Sequence, residues 1–378
     1  MMELPFGPGA AHAGTWVALL LEAAAKLTVV LFAVAVGTTV FRRTVAASRH
    51  WVWTCTLAGA LALPALTVLL PVWPLPIFPE TPLWSYAVAK VGSIEAGATA
   101  GSASSSARIR EPAMATVASP DPVASLDDSH PWRSAILWTW GIGFALVSVW
   151  LAAGAWQAGR LRRSARPVRS GAVHAAVNAA AASLGLRIPV PLLVSGQISA
   201  PVTMGAFEPV VILPRDALSW PAERLRVVLL HELAHVQRHD CLTQRVADMA
   251  CAAYWFHPVV WKTAGLLRRE RERACDDRVL QAGVAPAVYA EHLLAIARSC
   301  TRKPPAHALA MAGTSHLEER LRAILDPTIP HESPGRASYA ASVLLIATLL
   351  FPLAALDPWS AQPPAESAGD AGSLVDHR

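Results

Sequence analysis

An α-helical multi-pass membrane protein with a cytoplasmic, mainly α (α+β) domain is the fold class this sequence predicts, and three observations carry it. Hydrophobic residues make up 53% of the 378 and charged residues only 16%, where a soluble domain carries roughly 25%. The mean hydropathy is +0.37. Four long apolar runs punctuate the chain, and one polar block of domain size separates the third from the fourth. This composition excludes a disordered or collagen-like chain. Five cysteines in 378 residues also exclude a disulfide scaffold. The net charge of +5 would suit a nucleic-acid binder, but in a membrane protein the placement of charge says more than its sum.

Residues 15–40, 51–72, 135–156 and 337–357 each supply the roughly 20 apolar residues that a bilayer crossing needs. Trp16, Trp51, Trp53, Trp73, Trp132, Trp156 and Trp359, seven of the 14 tryptophans, stand at or near span ends, where indoles favour the headgroup level. Glu22 and Lys26 lie four apart inside the first span and read as a self-neutralising pair. The leader 1–14 has no Lys or Arg, so it does not resemble a secretory signal peptide.

Orientation follows the arginines. The loop 41–50 carries Arg42, Arg43 and Arg49, whereas the 73–134 connection is mixed in sign and ends acidic, with Asp121, Asp127 and Asp128. Arg160, Arg162, Arg163, Arg166 and Arg169 follow the third span, and the 358–378 tail is acidic. Both termini are therefore expected outside a bacterial cytoplasmic (inner) membrane, with 157–336 inside. Four of the five cysteines fall in that block, where thiols stay reduced. The small-residue stretch 92–106 reads as a flexible linker.

Within the block, 173–186 has helical spacing, while 189–194 and 209–213 are short apolar runs bounded by Gly and Pro, hence strands. The run 207–214 is expected as an exposed sheet edge that holds substrate as an added strand. Pro209 removes one ladder donor, which suits an edge. From Pro221 onward the block reads as helical. Pro221 suits a first turn and Glu223 complements the helix dipole.

That helix carries His231-Glu232-Leu233-Ala234-His235. Histidines at i and i+4 share a face, so both imidazoles can reach one Zn²⁺. Glu232 stands beside them, placed to take a proton from an attacking water and deliver it to a leaving amine. The bland alternative is two histidines on a polar helix face. The apolar turn 226–230 before the motif opposes it, because a buried His-Glu-His cluster without a ligand is costly. A third ligand is sought in 268–280, RRERERACDDRVL. Glu272 shares a face with Cys275, Asp276 and Val279, the buried-looking side, whereas Glu270 falls with Arg273 and Asp277 on the charged side. Glu272 is thus the preferred ligand. Asp276, one turn on, is placed to accept a hydrogen bond from a ligand imidazole. The arginines nearby read as a solvated, positive-inside face, with no direct nucleic-acid contact.

HELAHVQRHD at 231–240, FHPVVW at 256–261 and ERACDDRVL at 272–280 together resemble the membrane metallopeptidases of the BlaR/MecR type, metallopeptidase family 56. PVTMGAFEPVVILP at 201–214 and HLEERLRAILDP at 316–327 resemble the same family. The resemblance implies a glutamate-zincin domain inserted between the third and fourth spans. It implies His231, His235 and Glu272 as zinc ligands, and Glu232 as the catalytic base. It also implies regulated proteolysis of a protein substrate, either the chain itself or a DNA-binding repressor. One departure stands out. About twenty residues follow Leu356, and none of Lys26, Lys90, Lys262 and Lys303 has a serine three positions before it. A penicillin-binding sensor is accordingly not expected.

The leading expectation is a zinc endopeptidase embedded in membrane lipid, with its site on the cytoplasmic side. The alternatives are a quality-control or prenyl-protein-type membrane protease, against which FHPVVW speaks, and a non-catalytic scaffold with structural zinc, against which an intact Glu232 speaks. Tyr254, His239 and His257 are all conceivable partners for the oxyanion. Substrate, stimulus and oligomeric state, a homodimer included, stay open.

Overall fold

The computed structural model describes residues 13–40, 44–71, 73–74, 131–302 and 313–357. The linker 92–106, the acidic part of the 73–134 connection, the 358–378 tail and most of the 1–14 leader lie outside the described residues. Helices α1 (Ala13–Val40), α2 (Ala46–Leu69), α3 (Pro131–Ser164) and α10 (Arg336–Ala355) are long and apolar enough to cross a membrane. They coincide with the four expected spans. α3 runs beyond residue 156 through Arg160, Arg162 and Arg163, because the chain meets no helix breaker before Pro167.

Between α3 and α10 come β2 (Arg166–Pro167), α4 (Gly171–Ser183), β3 (Leu192–Ser195), β4 (Val202–Met204) and β5 (Val210–Pro214). Helices α5 (Ala222–Gln237), α6 (Asp240–Ala253), α7 (Pro258–Gln281), α8 (Pro286–Arg302) and α9 (Gly313–Leu325) follow. The two-residue β1 (Trp73–Pro74) pairs in parallel with β6 (Leu356–Asp357), joining the ends of α2 and α10.

The four-stranded sheet has the order β2-β3-β5-β4, with β3 and β5 parallel and the outer pairs antiparallel. This overturns the expectation for 207–214. β5 is central and buried along its length, as four consecutive apolar residues without alternation require. Pro209 precedes the ladder instead of ending it, and Phe207 sits on an exposed turn. Gly205 makes that turn possible: its φ is +96°, and a Cβ there would lie 2.2 Å from the Glu208 carbonyl oxygen. The edge strand is β4, and the substrate role assigned to 207–214 is withdrawn.

Two apolar cores result. One joins the sheet, α4, α5, α8 and α9 around Val211, Leu213, Leu229, Leu230, Leu233 and Tyr289. The other joins α1, α2 and α10 with α6 and the first half of α7, through Leu27, Leu57, Leu63, Ala250, Tyr254, Val260 and Leu350. The turn between α6 and α7 therefore sits among the spans, which hydropathy alone did not reveal. Tyr254 donates to the Ala60 carbonyl at 2.8 Å, Thr28 bonds His257 at 2.9 Å, and the Trp140 indole reaches the Ala253 carbonyl at 3.0 Å. Glu22 and Lys26 do form the expected pair at 2.5 Å. Lys26 also donates to the Ala354 carbonyl at 3.1 Å, tying α1 to α10.

Candidate metal centre

Helix α5 passes between the two cores and presents its His-Glu-x-x-His face to a cavity of about 930 Å³. One wall of that cavity is β4 with its flanks, another is α3 from Trp150 to Ala158, and α7 contributes Arg271 and Glu272. His231 Nε2 lies 3.5 Å from Glu272 Oε2, and His235 Nε2 lies 4.0 Å from Glu272 Oε1. One ligand atom from each of the three residues falls within 4.8 Å of the others. Tetrahedral zinc with ligand distances of about 2.0–2.2 Å needs donors roughly 3.3–3.6 Å apart. The donor set, two imidazoles and a carboxylate, suits that ion: the 3.5 Å pair already has this spacing, and the 4.0 Å pair must close by about 0.4 Å.

Both imidazoles are held from behind, which frees Nε2 for the cavity. His231 Nδ1 stands 3.0 Å from the Tyr289 hydroxyl and 3.3 Å from Asp276 Oδ1. The Tyr289 hydroxyl donates to Asp276 at 2.5 Å, and Arg320 grips the same carboxylate through two bonds of 2.9 and 2.7 Å. His235 Nδ1 donates to Asp240 Oδ2 at 2.8 Å. Asp240 can fold back this closely because His239 adopts a left-handed conformation, φ 55° and ψ 38°, between α5 and α6. That conformation is unfavourable for a side chain larger than glycine and is maintained by its surroundings.

The electrostatics favour positive charge at this point. Burial works against ionising His231, yet hydrogen bonds to Asp276 and Glu272 push it up to about 9. Burial likewise opposes the charge on Asp276, but Arg320 holds that carboxyl down to about 2. Asp240 is also at about 2, because its bond to His235 and the nearby Arg238 outweigh burial. Such a pocket stabilises a cation between the imidazoles.

Glu232 is adjacent to both histidines and is buried. Its carboxylate accepts a 2.8 Å hydrogen bond from the Thr203 hydroxyl on β4, which also donates to the Glu232 carbonyl at 3.0 Å. The edge strand is thereby fixed beside the histidines.

Sequence reasoning selected Glu272 on a partly mistaken premise. The face of α7 that carries Glu270 and Asp277 is buried as well. Glu270 is taken by Arg49 of α2 at 2.8 Å, and Asp277 by His331 at 2.6 Å. Glu272 is the more exposed of the two glutamates and lines the cavity. The nearby arginines are not simply a solvated face: Arg271 and Arg273 are partly buried and paired with Glu272 and Glu270. None of the three oxyanion candidates lines the cavity. Tyr254 and His257 are bonded within the span core, and His239 forms the turn. Asp240, Tyr289, Arg320 and Thr203 were missed, since each reaches the site from a different element with no spacing signal to α5.

The chain is mostly helical, has four candidate membrane spans, and brings His231 and His235 of α5 together with Glu272 of α7. The comparison with known families narrows this: the profile described as BlaR1 peptidase M56 matches residues 18–324, and the chain belongs to that family. Among curated proteins, the regulatory protein BlaR1 of Bacillus licheniformis is 38% identical over 84 residues, 22% of this chain and 14% of that protein. The methicillin resistance mecR1 protein of Staphylococcus aureus is 25% identical over 88 residues, 23% of this chain and 15% of that protein. The matched stretches thus span about one-seventh of these relatives.

Proposed function

We propose that this chain is an integral-membrane zinc endopeptidase that acts at the cytoplasmic face in signal transduction. The observation that carries this reading is the convergence of His231, His235 and Glu272 within 4.8 Å beside a buried Glu232. His231, His235 and Glu272 would hold the zinc ion, which would supply a Lewis acid to polarise the scissile carbonyl and acidify the attacking water.

The chain's own residues do the rest. Glu232 accepts the proton of the attacking water and passes it to the departing amine nitrogen. The Thr203 hydroxyl keeps the carboxylate facing the cavity. β4, whose second edge is unpaired among the described residues, takes an extended substrate backbone as an added strand. Asp276 and Asp240 keep each imidazole in the tautomer that leaves Nε2 free. The similarity to BlaR1 and mecR1 supports a protein substrate, either the chain itself or a DNA-binding repressor. The arginine asymmetry of the sequence supports a cytoplasmic site with both termini outside. A periplasm-dependent reporter fused after Gly101 should be active and one fused after Ala172 silent; the reverse pattern would invert the topology.

The decisive variant is Glu232→Gln. It keeps the three ligands and the side-chain volume but removes the base. The expected result is full zinc content with cleavage reduced about 10²- to 10⁴-fold. Undiminished cleavage or signalling would point instead to a scaffold with structural zinc.

A further inference from the structure

The cytoplasmic end of α2 touches the centre's supports at two points, through consecutive residues. Arg49 Nη2 lies 2.8 Å from Glu270 Oε2, on the helix that carries Glu272. His50 Nε2 lies 3.4 Å from Thr243 Oγ1 and 3.9 Å from Asp240 Oδ1. Thr243 spends its own proton on the Asp240 carbonyl at 3.0 Å, so the hydroxyl is left to accept from the imidazole. His50, Asp240 and Thr243 are all buried, at 2%, 2% and 6% exposure. The other oxygen of Asp240 is the one that holds His235 at 2.8 Å. Oδ1 makes no hydrogen bond among the described residues; it lies 3.3 Å from Arg238 Nε, an ion pair outside hydrogen-bond geometry, and 3.9 Å from His50 Nε2. A buried carboxylate oxygen and a buried imidazole nitrogen thus face each other with less than 1 Å to spare beyond hydrogen-bonding distance.

Resting on the zinc reading above, we propose that His50 is a positioning residue of the metal centre. Through Asp240 it sets the orientation of the His235 imidazole, so the second span forms part of the site's support. A displacement of α2 by about 1 Å closes or widens the gap to Oδ1 and rotates the carboxylate that aims His235. The Arg49–Glu270 pair makes the same displacement act on α7, where Glu272 is rooted. The site therefore responds to the position of a membrane helix without any contact between that helix and substrate. A His50 that merely fills the core would have no such reach.

The test uses the full-length chain in nanodiscs, loaded with cobalt(II) as a spectroscopic substitute for zinc. The visible absorption of the cobalt form and the affinity for zinc, by chelator competition, are measured together. His50→Ala should shift the cobalt bands and weaken zinc affinity about tenfold or more. His50→Gln, which retains an amide donor, should recover most of both. Ser48→Ala breaks the 2.9 Å bond between Ser48 and Ser338 on the same helix end; it should leave bands and affinity at wild-type values. A wild-type spectrum and affinity in folded His50→Ala, or equal changes in Ser48→Ala, overturns the proposal alone. If His50→Ala does not fold, Thr243→Val decides: shifted bands support the proposal, and unchanged bands overturn it. A wild-type chain that takes up neither metal overturns the zinc reading and this inference together.

Discussion

The two histidines of the centre sit one helical turn apart on α5, yet different halves of the molecule hold them. Behind His231 stand Asp276, Tyr289 and Arg320, from α7, α8 and α9, all linked to the core that contains the sheet. Behind His235 stands Asp240, from α6, whose neighbours Arg238 and His50 face the core formed with the spans. The first support is closed: both Asp276 oxygens are bonded by Arg320, and Tyr289 is fully buried. The second is less tightly closed: Asp240 Oδ2 takes His235, Arg238 and the Cys275 thiol, while Oδ1 has the Arg238 ion pair at 3.3 Å and no hydrogen bond among the described residues. On the proposed reading, a metal centre with supports of unequal closure would be held more firmly at His231 than at His235, which is what the proposed coupling to α2 requires.

The strongest test of that contrast removes each ligand. His231→Ala and His235→Ala should each abolish stoichiometric zinc and all cleavage, measured by metal analysis and by appearance of product. Next come the supports. Asp276→Asn should destabilise the fold more than Asp240→Asn, because it weakens two charged bonds of 2.9 and 2.7 Å from Arg320, whereas Arg238 stands 3.3 Å from Asp240; breaking a buried pair costs about 3–5 kcal/mol. Denaturant midpoints of the two variants would reveal it, and equal losses would erase the distinction. Tyr289→Phe removes one bond to a charged group and should cost about 1.5–3 kcal/mol, with zinc affinity reduced about tenfold or more. The smallest effect belongs to Glu208→Ala. Its partner Arg162 lies 3.0 Å away, but both side chains are largely exposed, so stability should change by about 0.5 kcal/mol or less.

Which parts were legible in the sequence follows from the range of the interactions. The four spans and α5 announce themselves because apolar periodicity and the i, i+4 histidines are local. Glu272 was found through helical phase along α7, although the phase argument placed Glu270 on an open face that Arg49 in fact closes. Burial of Glu270 depends on a residue 221 positions away, and helical phase carries no such information. The sheet order failed for the same reason. Pro209 is compatible with an edge, but the partner of β5 on its far side is β4, which three half-exposed residues barely signal. Asp240 was overlooked although it is only five residues from His235, because its role depends on the left-handed turn at His239. Helices α6 and α7 gave no warning that they pack among the spans, since α6 mixes its apolar residues with Asp240, Gln244, Arg245 and Asp248, and the apolar first half of α7 runs straight into the charged stretch from Arg268.

In the proposed centre Glu272, and not Glu270 on the same helix, completes the zinc site with His231 and His235. Zinc content per chain of purified Glu272→Gln and Glu270→Gln, both isosteric, tests it directly. Glu270→Gln should keep about one zinc, because Arg49 can still donate to the new amide oxygen, whereas Glu272→Gln should lose most of it. Zinc retained by Glu272→Gln, or lost equally from both, would contradict the account.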